Sequence, residues 1–119
     1  MITLNWRRCG NDGHYCPLEK LNLTSISAST GVYVIWHAGN PSRVVRVGQG
    51  NIAERLGAHR SDQDVLAYRQ SGKLLVTWAA VPAHQIDAVE RYLADTWKPL
   101  IGDAFPDVEP LEVNSPFAA

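Results

Sequence analysis

Cysteine and methionine are scarce in this chain, with two of the first and one of the second. Long apolar runs are missing as well. No stretch approaches the roughly 20 residues that a bilayer requires, which excludes a membrane-spanning helix. In the N-terminal MITLNWRRCG the arginines follow a very short apolar start, so no secretion signal is expected there. Two cysteines without an export signal predict free thiols in a reducing, cytoplasmic setting. Cys9, His14 and Cys16 are the right residue types for zinc, but a structural site takes four ligands and C-x4-H-x-C is not a knuckle spacing. Buried thiols near a turn are the expectation instead. There is no internal repeat and no low-complexity tract.

An overall excess of positive charge is also lacking. The net charge is −1, which by itself argues against a nucleic-acid partner. The distribution argues differently. Residues 43–73 carry six basic side chains against three acidic ones, whereas residues 74–119 carry two against seven. A local basic face can hold phosphates on an acidic protein, although a solvated face without a partner would look the same in sequence. The 119 residues, 45% of them hydrophobic, fit one domain around one core. Within it, residues 1–30 read as an N-terminal extension packed on a domain of residues 31–119.

In the extension, Asn11-Asp12-Gly13 reads as a turn and Thr24 to Thr30 as a connector. Val32 to Trp36 is β-branched and aromatic on both faces, as suits a central strand. Residues 38–42 (Ala-Gly-Asn-Pro-Ser) have the length of a hairpin turn, and Val44 to Val47 form the return strand. Pairing Trp36 with Arg43 would set Tyr33 opposite Arg46 on one sheet face, and a one-residue slip would separate them. Gly48-Gln49-Gly50 turns a corner. Asn51, with Glu54 three residues on, caps a helix starting at Ile52, on which Arg55 and His59 share a face. Ser61 and Asp64 offer a second cap, for a helix to about Ser71. Leu74 to Val81 is a third strand. A last helix runs from about His84 to Lys98 with an apolar stripe of Ile86, Val89, Leu93 and Trp97. Glu90 falls on that stripe, and an inward carboxylate is costly unless a cation, metal or donor satisfies it. Residues 99–119 read as an irregular tail, in which Asn114 sits before a turn.

These residues, in this order, resemble the GIY-YIG nuclease family. Gly31-Val32-Tyr33 is similar to the GIY element and Arg46-Val47-Gly48 to the YIG element. Arg55 and His59 stand where that family's first helix carries its arginine and, often, a histidine. Glu90 resembles the family's metal-binding glutamate, and Asn114 its late asparagine. The resemblance implies an α/β sandwich, a three-stranded antiparallel sheet flanked by helices in the order β-β-α-α-β-α. It also implies a metal-dependent endonuclease, a hydrolase of phosphodiester bonds in DNA or RNA that uses one divalent cation, Mg²⁺ or Mn²⁺. Glu90 would be the metal ligand, Arg55 the transition-state clamp, and Tyr33 the base or water-positioner. Arg46, Arg43, Gly48 and His59 would line the phosphate site, with Asn114 orienting the tyrosine or substrate. A partner protein could supply specificity.

The departure is Arg46, which stands where the YIG tyrosine belongs. Arginine stays protonated at any working pH and cannot act as a general base. Either Tyr33 carries the proton transfer alone, with Arg46 as an extra phosphate clamp, or the site has kept its grip on phosphates without the chemistry. Tyr68, on the predicted second helix, is a further candidate for the missing tyrosine. The rivals are a binding module holding nucleic acid through Arg43, Arg46, Arg55 and Arg60, and a protein-interaction domain using the acidic C-terminal third.

Overall fold

A computed structural model describes residues 1–9, 14–26, 29–102 and 104–117. An antiparallel sheet of four strands stands between two layers of helix and irregular chain. Its strands are β1 (Cys16–Pro17), β2 (Thr30–His37), β3 (Arg43–Asn51) and β4 (Leu74–Ala80), in the order β1-β4-β2-β3. The helices are α1 (Ile52–His59), α2 (Gln63–Leu66) and α3 (Ile86–Trp97). From β2 onward the order is the expected β-β-α-α-β-α. The strand count differs from the expected three because Cys16 and Pro17 add a short edge strand beside Val76 and Leu75. A two-residue strand has no period of its own to betray it in sequence.

β2 is buried along nearly its whole length because both faces are covered. Val32, Val34 and Trp36 pack with Val47, Ala79, Ile86, Val89 and Leu93 on the α3 side. Tyr33 and Ile35 pack with Ile52, Leu56, Val65, Val76 and Trp78 on the α1 side. The first 30 residues feed both layers, Leu4 joining the first cluster and Cys16, Leu18 and Leu21 the second. Among the described residues, no helix is long and apolar enough to cross a membrane.

The hairpin register differs from the expected one. Tyr33 lies opposite Gly48, and Ile35 opposite Arg46, while Trp36 pairs with Val44. Val45 is therefore an extra residue, a bulge at the Ile35–Trp36 step. The slip at Tyr33 is two residues, one full side-chain period, so Tyr33 and Arg46 still face the same side, diagonally rather than directly. Hydrophobicity could not reveal the bulge, since Val44, Val45 and Val47 are all buried.

Further corrections are local. Asp62 rather than Ser61 caps α2, its side chain accepting from the Asp64 N–H. That helix lasts one turn and tightens to a 3-10 turn over Ala67–Gln70. Another 3-10 turn, Ala83–Gln85, precedes α3. The Thr24–Thr30 connector begins in a 3-10 turn, Leu23–Ile26, and ends in β2; residues 27 and 28, like the Asn11–Gly13 turn, lie outside the described residues. Cys9 and Cys16 are joined as a disulfide with Cα atoms 5.0 Å apart, so the expected free thiols are not found. With their sulfurs bonded to each other they cannot act as thiolate ligands, which removes the zinc alternative at Cys9, His14 and Cys16. In the tail, the Leu100 and Ile101 N–H groups donate to the Val44 and Val45 carbonyls, covering the start of the β3 edge.

Candidate functional site

Beyond Ile101 the tail leaves β3, and a cleft of ≈ 260 Å³ opens over the edge of that strand. Its walls carry Tyr33, Arg46, Gly48, Gln49, Arg55 and Glu90. Tyr33 comes from the α1 face of the sheet, and Glu90 from α3 on the other face. They meet because β3 is the edge strand and Gly48, opposite Tyr33, has no side chain to stand between. A Cβ at Gly48 would overlap the Tyr33 phenol. Gly50 has φ 126°, a left-handed conformation that lets the strand swing into α1. There the Asn51 side chain accepts from the Glu54 N–H, as the spacing predicts. The cap fixes the start of α1, and with it the direction of Arg55, one residue on.

The Tyr33 hydroxyl is 2.6 Å from His59 Nε2, and both side chains are buried. The helix spacing that put Arg55 and His59 on one face thus gives them different depths: Arg55 lines the cleft and His59 stands behind Tyr33. His59 is held uncharged near neutral pH. Burial, then the Arg46 and Arg55 guanidinium groups, push its pKa from 6.5 down to about 4, while Asp62 pulls weakly the other way. Asp62 Oδ2 lies 3.6 Å from His59 Nδ1, beyond hydrogen-bond length. A neutral ring with its proton on Nδ1, toward that carboxylate, leaves Nε2 to accept the Tyr33 proton.

Glu90 is buried on the α3 stripe, 7% exposed. Burial raises its pKa above 4.5; the Gln49 amide lowers it, Asp87 raises it, and Arg46 and Arg55 lower it. Among the described residues no ion pair within 4.0 Å reaches Glu90, so the buried salt bridge that would make it a structural residue is not formed. Arg46 Nε is buried with no hydrogen-bond partner among the described residues. Two guanidinium groups line a cleft that holds one carboxylate. With two cations against one anion, such a cavity suits an oxyanion.

Other expected site residues go elsewhere. Asn114 is not in the cleft: its Oδ1 accepts from the Leu4 N–H at 2.6 Å and its Nδ2 donates to the Leu4 carbonyl at 3.0 Å. It tethers the N-terminal segment, and its carbonyl also accepts from Trp6 Nε1. Arg43 is exposed at the far end of β3. Arg60 turns inward to donate to the Leu18 and Leu21 carbonyls, which removes it from a phosphate-binding face. Tyr68 stacks on His37, away from the cleft.

The sequence reading missed Gln49, which donates to Asp87 at 2.7 Å beside Glu90, and missed Asp62 behind His59. It also missed Gly102 and Phe105, which close the cleft from the tail. Asp62 was within reach, three residues from His59. Nothing local marks the tail residues, since their role comes from a loop passing β3.

Comparison with known proteins finds no matching family model, no matching curated protein and no matching solved structure.

Proposed function

We propose that this chain is a GIY-YIG-like domain acting as a metal-dependent nuclease on DNA or RNA. One observation carries the reading. A buried tyrosine, its hydroxyl hydrogen-bonded to a histidine kept uncharged, borders a cleft that also holds two arginines and one buried carboxylate. The ordered resemblance of Gly31-Val32-Tyr33, Arg46-Val47-Gly48, Arg55 and Glu90 supports the same class.

In this reading the scissile phosphate lies between Arg46 and Arg55. Their donors meet its oxygens as negative charge builds in the transition state. Tyr33 takes a proton from the attacking water while its own proton passes to His59 Nε2, and the imidazolium so formed faces the Asp62 carboxylate. The low pKa of His59 makes that transfer uphill for the ring alone, and the phosphate's charge in the cleft offsets it. Arg46 is a phosphate clamp rather than a base.

Glu90 would hold a single Mg²⁺ or Mn²⁺. The donor set fits that cation in an open site only. No group of three His, Cys, Asp or Glu side chains converges among the described residues, and Mg²⁺ is commonly held by one or two carboxylates plus water and phosphate oxygens. When bound, the cation supplies charge screening of the phosphate and stabilisation of the leaving oxygen. A partner protein remains a source of specificity on this reading.

The test is incubation with labelled single- and double-stranded DNA and RNA in Mg²⁺ or Mn²⁺, beside Glu90→Ala. Cleavage by the wild type and not by Glu90→Ala is expected. Equal cleavage by both means a contaminant and overturns the reading. The second reading, a nucleic-acid-binding module without catalysis, draws on Arg46 in the YIG position. Salt-sensitive binding with no cleavage in either metal selects it.

A further inference from the structure

We infer that the pocket at the Arg43 end of β3 is a stacking subsite for one unpaired nucleobase of the strand held in the cleft. This rests on the nucleic-acid reading above and narrows its substrate to one with unpaired nucleotides beside the bound phosphate.

The pocket measures ≈ 350 Å³ and is lined by Trp36, Ser42, Arg43, Val44, Trp97 and Phe117. Phe117 meets Trp36 edge to face at 4.9 Å and Trp97 at 4.8 Å, so the rings brace one another. Tyr15 braces Trp36 from another direction at 4.8 Å. Trp97 and Phe117 are only half-buried, which leaves aromatic surface open to a planar guest. Among the described residues no acidic side chain lines the pocket and Arg43 makes no ion pair. Fixed aromatic rings with an available guanidinium at the rim are the combination that receives a base and its phosphate.

The two sites lie on one strand. Val44 and Gly48 pair with Trp36 and Tyr33, three residues apart on β2 because Val45 is bulged, a span of about 10 Å at the usual rise of a strand. Between them the β3 edge is closed by Leu100 and Ile101. A nucleic-acid strand lying along that edge sets a phosphate between Arg46 and Arg55 and a base in the aromatic pocket, within about three nucleotides at duplex rise. A paired base cannot enter, because its faces are covered by its neighbours in the stack.

The probe is a fluorescein-labelled single strand of eight thymidines, with an abasic strand of equal charge as control, followed by anisotropy without divalent cation. Trp97→Ala should weaken thymidine binding about tenfold to hundredfold and leave abasic binding unchanged. Because Trp97 also packs on Phe117, Ser42→Trp provides a second variant that fills the pocket from its exposed rim and should have the same effect. Arg43→Ala should lower the salt slope by about one. Wild-type binding by both Trp97→Ala and Ser42→Trp, while Arg55→Ala binds weakly, overturns the subsite and leaves the cleft reading standing. Loss in the pocket variants with Arg55→Ala unaffected shows a base held without a phosphate in the cleft, and overturns both the cleft reading and the proposal that one strand spans the two sites. A dimer converted to monomer by Ser42→Trp, with binding intact, gives the pocket to a second copy and overturns the proposal.

Discussion

His59 should make this protein lose stability in mild acid, and its contribution can be isolated. In the unfolded chain the ring titrates near 6.5, whereas in the folded protein burial and two neighbouring arginines push that to about 4. The folded state therefore binds fewer protons than the unfolded state between those values. Stability is retained above 6.5 and is lost as pH falls toward 4. At about 1.4 kcal/mol per pKa unit the full effect is about 3 kcal/mol, of which roughly 2–3 kcal/mol falls between pH 7 and pH 4.5. Carboxylates add their own acid dependence, so the measurement is a difference. Urea unfolding of the wild type and of His59→Gln, which keeps a polar group near Tyr33 but cannot titrate, is followed across that range. The wild type should lose roughly 2–3 kcal/mol more than the variant. Parallel curves, or a His59 ring signal titrating near 6.5 by NMR, would show that the arginines and burial do not act on this ring as argued.

Tyr33→Phe removes the hydroxyl and leaves His59 Nε2 buried without its partner, an expected loss of about 1–3 kcal/mol in denaturant unfolding. On the proposed function it also abolishes cleavage while oligonucleotide affinity is kept; cleavage at the wild-type rate would remove Tyr33 from the chemistry. Gly48→Ala collides with the Tyr33 ring and should cost about 1–3 kcal/mol, with the Tyr33–His59 hydrogen bond broken in the variant's NMR spectrum. Glu90→Gln should stabilise the fold at pH 7, because burial raises the native pKa of this carboxyl and so penalises its charged form; the gain should vanish in acid, where both states are protonated. A thermal scan at pH 7 and at pH 4 reads the sign. Asn114→Ala should cost about 1–3 kcal/mol through two lost bonds to Leu4 and leave the cleavage rate per folded molecule unchanged, whereas a site role predicts a rate loss.

The residues that were legible are those whose neighbours are local. Asn51 and Glu54 are three apart, and one turn of helix is enough to bring the side chain to the N–H it caps. Glu90 could be placed inside from its spacing to Ile86 and Leu93, since a helix face is fixed by a 3.6-residue period whatever packs against it. The β-strands of the hairpin were visible for the same reason, with a turn of fixed length between them. Asn114 shows the limit. Before a turn, an asparagine amide has many possible partners, and only the return of residues 1–9 alongside the tail decided that both its groups serve Leu4.

Periodicity and capping thus determined α1, the body of α3, the central strands and the inward aim of Glu90, because each depends on contacts within a few residues. The tertiary structure alone decided the bulge at Val45, the disulfide, the loop that supplies Gly102 and Phe105, and the different depths of Arg55 and His59. All four depend on which distant segments share an edge or a face. That choice is made by the packing of the whole core, and a local sequence pattern carries no trace of it.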